Sequence, residues 1–173
     1  MWRDIRRWWS PQKHFRVEPI EAPRLVFAHT SLTALRSCMS PEIQRGKEAI
    51  AYLLGKTTAS GTLIVSVVRP VARTTPGSFS VTAAAMARVV RCASNAGLQV
   101  AGQAHTHPEN AYHSQGDDEG ARIVYDGYAS IVFPNYGRHL PSLDGAAAFI
   151  YKINLGFVPI DSKRITVVPG QIQ

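Results

Sequence analysis

Apolar positions along the chain come in short runs with two periodicities. Residues 24–28, Arg-Leu-Val-Phe-Ala, are predicted as a first strand. Leu32, Leu35 and Met39 recur at helical spacing behind Thr30 or Ser31 as a cap, which predicts a short helix interrupted by Pro41. Residues 49–54 are a buried apolar run, a strand or a helix end, closed by Gly55. Residues 62–68 read as a strand stopped by Arg69-Pro70, and the Thr/Pro/Gly stretch 71–79 as a loop. Ser80 is placed to cap a helix that runs to Ala96 and stops at Gly97. Residues 98–105 form the next strand. A polar loop follows, then a helix over 118–125. Residues 128–133 and 146–153 are strands joined by the Pro- and Gly-rich loop 134–145. Strands interleaved with helices predict an α/β domain built on a sheet.

Composition narrows this picture. With 45% hydrophobic and 18% charged residues in 173, one globular domain is expected and disorder is excluded as the default. The longest apolar runs, such as 63–68, are of strand length and far short of the roughly 20 residues a spanning helix needs. The net charge of +7 is uneven. Residues 1–16 hold Arg3, Arg6, Arg7, Lys13 and Arg16 against Asp4, five minus one, which leaves +3 for the rest. All three tryptophans, Trp2, Trp8 and Trp9, lie among those arginines. The organisation expected is a basic, Trp-rich arm over 1–22 and a single domain over 23–173. Pro11, Lys13 and His14 interrupt the arm where an export signal needs an apolar stretch, so export is not expected. The arm reads either as a docking segment or as a strap packed on the domain. Cys38 and Cys92 lack C-x-x-C spacing and read as two buried thiols in a reducing, cytoplasmic setting. The body is only mildly basic and carries no nucleic-acid signature, so neither nucleic acid nor a membrane is an expected partner.

The informative stretch is Ala104-His105-Thr106-His107-Pro108, continuing to His113-Ser114-Gln115-Gly116-Asp117-Asp118. His105 and His107 end an apolar strand. Residues i and i+2 of a strand share a face roughly 6.6 Å apart, so two imidazoles there can converge on one ion. Pro108 turns the chain away, and a loop returns a carboxylate at the start of the next helix. Two His and one Asp suit zinc, and a fourth position left to water makes such a site catalytic rather than structural.

These residues resemble the motif of the JAMM/MPN (JAB) metallopeptidase family, a distant Glu, then H-x-H, a spacer and S-x-x-D. Here they are His105, His107, Ser114 and Asp117, with Glu48 seven residues before Gly55 as the distant Glu. The resemblance spans roughly 24–155 in element order and is specific only at the motif. The spacer between His107 and Ser114 is six residues, one shorter than in eukaryotic members, and position 51 is Ala where many members have Gly. The short spacer leaves Asp118 as a rival to Asp117, and only one of two helix neighbours can face an ion. His113 could also reach the site, although it reads more simply as a polar loop residue.

The resemblance implies a single MPN-like (cytidine-deaminase-like) domain, a mixed β-sheet flanked by helices. It implies zinc (Zn2+) held by His105, His107 and Asp117, and Glu48 as general base, where without the motif it would be a solvated glutamate beside Lys47. It implies Ser114 as an oxyanion donor, a helix N-cap, or both. The activity implied is cleavage after the C-terminal tail of a ubiquitin-like protein or its conjugates, in a bacterial system with E1-like and E2-like partners, antiphage operons included. Loops 69–79 and 134–145 would grip the tail. Alternatives of the same site are processing of a sulfur-carrier protein or a cysteine adduct. A different class is a non-catalytic MPN scaffold, against which the intact Glu, His, His, Ser, Asp set argues.

Overall fold

A computed structural model describes residues 24–114, 116–117 and 123–169. The arm over 1–22, Asp118 and most of the helix expected after it lie outside these residues, and 123–125 carry no regular structure. The chain opens with β1 (Arg24–Ala28), whose Leu25 and Phe27 point inward, and passes directly into α1 (His29–Gln44). Then come β2 (Ile50–Thr58), β3 (Gly61–Val68), a hairpin of β4 (Ala72–Thr75) and β5 (Ser78–Val81), and α2 (Ala83–Asn95). The second half is strand-rich: β6 (Gln99–Thr106), β7 (Ala129–Phe133), β8 (Ala147–Lys152), β9 (Gly156–Pro159) and β10 (Ile165–Val168).

Eight strands form one mixed sheet in the order β10-β1-β3-β2-β6-β7-β8-β9, and β4 and β5 form a separate pair. A helix covers each face. On one side Leu32, Leu35 and Met39 of α1 meet Leu25, Phe27, Leu53, Ile64 and Ile131. On the other, Ala85, Met86, Val89 and Ala93 of α2 meet Ile50, Tyr52, Leu54 and Val100. The central strand β6 is therefore buried on both faces, including its polar Gln103, His105 and Thr106. This is the α/β sheet domain expected from the sequence.

Local departures have physical causes. Pro41 does not end α1, because one missing backbone bond weighs less than burial of Leu32, Leu35 and Met39 on the same side. The start is uncapped at Ala28, and Ser31, in the first turn, donates back to the Ala28 carbonyl at 2.6 Å. The stretch 71–79 is not a loop. Thr74 pairs with Phe79 and Thr75 with Ser78 across Pro76-Gly77 in the hairpin. Because Ser80 and Val81 stay in β5, Thr82 caps α2 instead, accepting from the Ala85 amide at 3.2 Å. The four-residue strands β9 and β10 were not expected. Neither thiol is fully buried: Cys38 is half-buried, and Cys92 is exposed on α2. Among the described residues no helix is long and apolar enough to cross a membrane.

Gly55 does not close β2 as expected. The strand continues to Thr58, and Gly55 sits at a register shift between Leu54↔Ser66 and Gly55↔Ile64. A Cβ here would lie 1.7 Å from the Leu63 carbonyl oxygen, so the approach of β3 requires the missing side chain. Gly55→Ala is expected to destabilise the fold by at least about 1–3 kcal/mol, the cost of forcing backbone aside in a packed core. Urea unfolding checks this, and an unchanged midpoint would contradict the contact.

Candidate metal centre

The antiparallel register of β2 and β6, with Ile50 opposite His105, brings Glu48, two residues before β2, to the carboxyl end of β6. His105 is fully buried, and Glu48, His107 and Asp117 are each 6% exposed. Nε2 of His105 lies 3.1 Å from Oδ1 of Asp117, and Nε2 of His107 lies 3.5 Å from Oδ2. One ligand atom from each of the three falls within 4.8 Å of the others. Asp117, not a more distant acid, thus faces both imidazoles, while Asp118 lies outside the described residues. His113 packs its ring on Phe157 at 4.3 Å and against Phe149, beside His105, so it belongs to an aromatic wall rather than a solvated loop.

The Ser114-x-x-Asp117 spacing forms a reciprocal capping box. The Asp117 amide donates to Ser114 Oγ at 3.2 Å, and the Ser114 amide donates back to Asp117 Oδ2 at 2.7 Å. The Ser114 hydroxyl also donates to Oδ2, at 2.8 Å. Oδ2 is therefore held by two donors, which leaves Oδ1 as the less occupied oxygen. Glu48 lines the same cleft. Its amide donates to the Thr75 carbonyl of the hairpin at 2.9 Å, and the next amide, of Ala49, donates to Thr106 Oγ1 at 2.8 Å. Glu42, the other acid near this strand, is paired with Arg69 at 2.5 Å.

These environments separate the two carboxyl groups. Burial pushes Glu48 up to about 7, against the pull of His107 and with the push of Asp117. Burial also acts on Asp117, but contacts from His105 and His107 and the Ser114 backbone outweigh it and hold the carboxyl well below the usual range. The bond to Asp117 raises His107 against its own burial.

The donor set fits a small tetrahedral ion. Bonds of about 2.0–2.1 Å at tetrahedral angles put neighbouring donors roughly 3.3 Å apart, and each imidazole nitrogen comes about this close to the carboxylate, His105 to Oδ1 and His107 to Oδ2. Although Nε2 of His105 is close to Oδ1, neither of its ring nitrogens finds a hydrogen bond of acceptable direction among the described residues. Two buried, unsatisfied nitrogens are costly unless something else fills the place.

The site lies in a cleft of about 320 Å³ lined by Glu48, His107, Ser114 and Asp117 on its floor. Its walls carry Phe79 of β5, Glu109, Asn110 and Tyr112. Phe79 leans on His105 with ring centres 5.3 Å apart, and Tyr112 stands edge-on to His107 at 4.7 Å. These two aromatic walls went unnoticed in the sequence. Phe79 was hidden in a presumed loop, although the alternation Ser78-Phe79-Ser80-Val81 was a signal, and Tyr112 carries none.

Two outcomes are expected. His105→Ala with His107→Ala should lose bound zinc in metal analysis, and stoichiometric zinc in that double variant would contradict the assignment. In metal-free protein, Glu48 binds its proton more tightly folded than unfolded, where its ordinary value is 4.5. Its stabilising contribution is present below pH 4.5 and is lost as pH rises through 7. Urea unfolding with chelator present should therefore show Glu48→Gln gaining on the wild type between pH 5 and 8, on the order of 2 kcal/mol. A gap that does not change over that interval would refute this.

A model of the family described as prokaryotic homologs of the JAB domain matches residues 36–139, more than half of the chain. The span runs from within α1 past β7 and contains Glu48, His105, His107, Ser114 and Asp117. No curated protein matches the chain in sequence. Among solved structures, a solution structure of a Desulfitobacterium hafniense protein is similar at a TM-score of 0.62 and 15% identity, covering 84% of this chain and 94% of that one. A solution structure from Salinibacter ruber aligns at a TM-score of 0.47 and 19% identity over 72% of this chain and 86% of that one. The first likeness concerns the fold alone. By the family match over this fold and site, the chain belongs to the prokaryotic homologs of the JAB domain, the JAMM/MPN family.

Proposed function

We propose that this chain is a zinc-dependent peptidase that cleaves the amide or isopeptide bond after the C-terminal tail of a ubiquitin-like protein. The observation that carries the reading is Glu48. It is a carboxyl group held near neutrality by burial, in one narrow cleft with a buried His105, His107 and Asp117 donor set. A general base works best when its pKa lies near the working pH. When bound, zinc supplies Lewis acidity, which polarises a carbonyl and eases deprotonation of a water. Glu48 takes a proton at its carboxylate and returns it to the departing amine. Asp117 stays ionised, because its contacts with both imidazoles favour the charged form.

Ser114 is the oxyanion donor in this reading. Its single hydroxyl proton rests on Asp117 Oδ2, so it turns from that oxygen when it serves the substrate, and the Ser114 amide continues to hold Oδ2. The cleft is too narrow for a folded domain and suits an extended tail between Ser78-Phe79 and Glu109-Asn110. Gly residues at the end of the tail allow close approach. The strand β5 has one side unpaired within its two-stranded sheet, an edge to which a tail can add. The partners proposed are a ubiquitin-like protein or its conjugates and the E1-like and E2-like enzymes that make them.

Glu48→Gln is expected to keep zinc and fold while losing on the order of 100-fold in kcat on a fluorogenic aminocoumarin amide of a tail peptide ending in Gly-Gly. A variant that cleaves at the wild-type rate would sink the base assignment. A zinc-loaded wild type inert toward tail amides and conjugates alike would favour a scaffold. Deleting residues 1–16 is expected to spare turnover of the small peptide. If the arm docks a partner, the deletion weakens action on a full conjugate, most at low salt, where its +4 charge is least screened.

A further inference from the structure

We propose that Thr106, the residue between the two histidines, is a positioning residue that sets Glu48 against the donor set. The inference rests on the peptidase reading above. Its side chain points away from the imidazoles, as alternation along β6 requires. It is fully buried and makes two opposed bonds with one neighbour. The Thr106 amide donates to the Ala49 carbonyl at 3.1 Å, and the Ala49 amide donates to Thr106 Oγ1 at 2.8 Å.

In a regular antiparallel pair both bonds would be main chain to main chain. Here the hydroxyl takes the place of a carbonyl in the last rung between β2 and β6. In the next pair the amides face outward, as the antiparallel ladder alternates: the His107 amide donates to the Phe133 carbonyl of β7, and the Glu48 amide to the Thr75 carbonyl of the hairpin. Among the described residues, the last tie between the chains that carry Glu48 and His107 is thus the Thr106–Ala49 rung, and the Thr106 hydroxyl is the half of it that holds the amide next to Glu48.

The hydroxyl is itself held in place. A Cβ on Gly137 would lie 2.9 Å from the Thr106 methyl, so that methyl is seated against a backbone with no room to spare. Gly137 has φ +72, a conformation that suits glycine, and belongs to a turn anchored by the Tyr136 amide on the His107 carbonyl at 2.7 Å. The methyl fixes the rotamer, and the rotamer aims the oxygen at Ala49.

The test compares Thr106→Val, which keeps the shape and removes the acceptor, with Thr106→Ser, which keeps the acceptor. Both are made in the zinc-loaded full chain, with Glu48→Gln alongside. In Thr106→Val, zinc stoichiometry and KM for the Gly-Gly aminocoumarin peptide should stay within about twofold, while kcat falls about 10-fold or more from misplacement of Glu48. Hydrogen exchange at the Ala49 amide should rise at least about 10-fold as its partner is lost. Thr106→Ser should recover part of both, short of the wild type because it lacks the methyl that seats the rotamer. Unchanged kcat in Thr106→Val with a released Ala49 amide would overturn the proposal, as would a Ser variant as impaired as the Val one. An Ala49 amide as protected in Val as in wild type would overturn it without any assay of turnover. If instead Glu48→Gln cleaves normally, the base assignment of Glu48 fails, and the role of Thr106 in positioning it falls with it; a zinc-loaded wild type inert toward the peptide would fail the peptidase reading itself.

Discussion

One register governs the centre of this molecule: β2 lies antiparallel to β6 with Ile50 opposite His105. Because side chains alternate along a strand, a slip of one residue would turn both imidazoles to the α1 face and leave the cleft without nitrogen donors. The register is specified by burial on both sides. Ala51 and Leu53 face the α1 core, and Ile50, Tyr52 and Leu54 face the α2 core, so a slip would exchange two packed sets at once. The bulge at Gly55 pins the neighbouring strand in the same way, since only a residue without a side chain fits beside the Leu63 carbonyl.

Much of this was legible in the sequence because it is written in local periodicities. The i, i+2 spacing of His105 and His107 at the end of an apolar run placed both on one face. The Ser114 and Asp117 spacing announced a helix start, and the apolar run after Glu48 announced a strand. What escaped was tertiary or weakly patterned. The hairpin over 72–81 was obscured by Pro76-Gly77, read as loop punctuation rather than as the turn between two short strands. Pro41 lies inside a helix because Leu35 and Met39 are buried, a fact no local preference contains. The closeness of Gly55 to Leu63 of β3 spans the seven residues 56–62 and a strand reversal, and Tyr112 meets His107 through a loop with no period at all.

The electrostatics of the cleft follow from unequal company rather than unequal burial. Glu48 and Asp117 are equally covered, yet Asp117 is surrounded by two imidazoles and two donors from Ser114, whereas Glu48 feels chiefly the loss of water. Two carboxyl groups in one cleft thereby prefer different protonation states near neutral pH, which is how a single fold provides both a fixed anion and a mobile proton.

The reciprocal bonds of the Ser114–Asp117 capping box bear on ion selectivity. With Oδ2 engaged by an amide and a hydroxyl, the aspartate cannot readily present both oxygens to one cation. Calcium seeks six to eight oxygens and often takes a carboxylate in bidentate fashion, and magnesium favours an octahedron of oxygen and water. Two imidazoles and a single free carboxylate oxygen meet neither demand. They suit borderline-soft first-row ions of low coordination number. A motif that starts a helix would thus also act as a filter at this donor set, denying a divalent ion that needs two carboxylate oxygens the second of them.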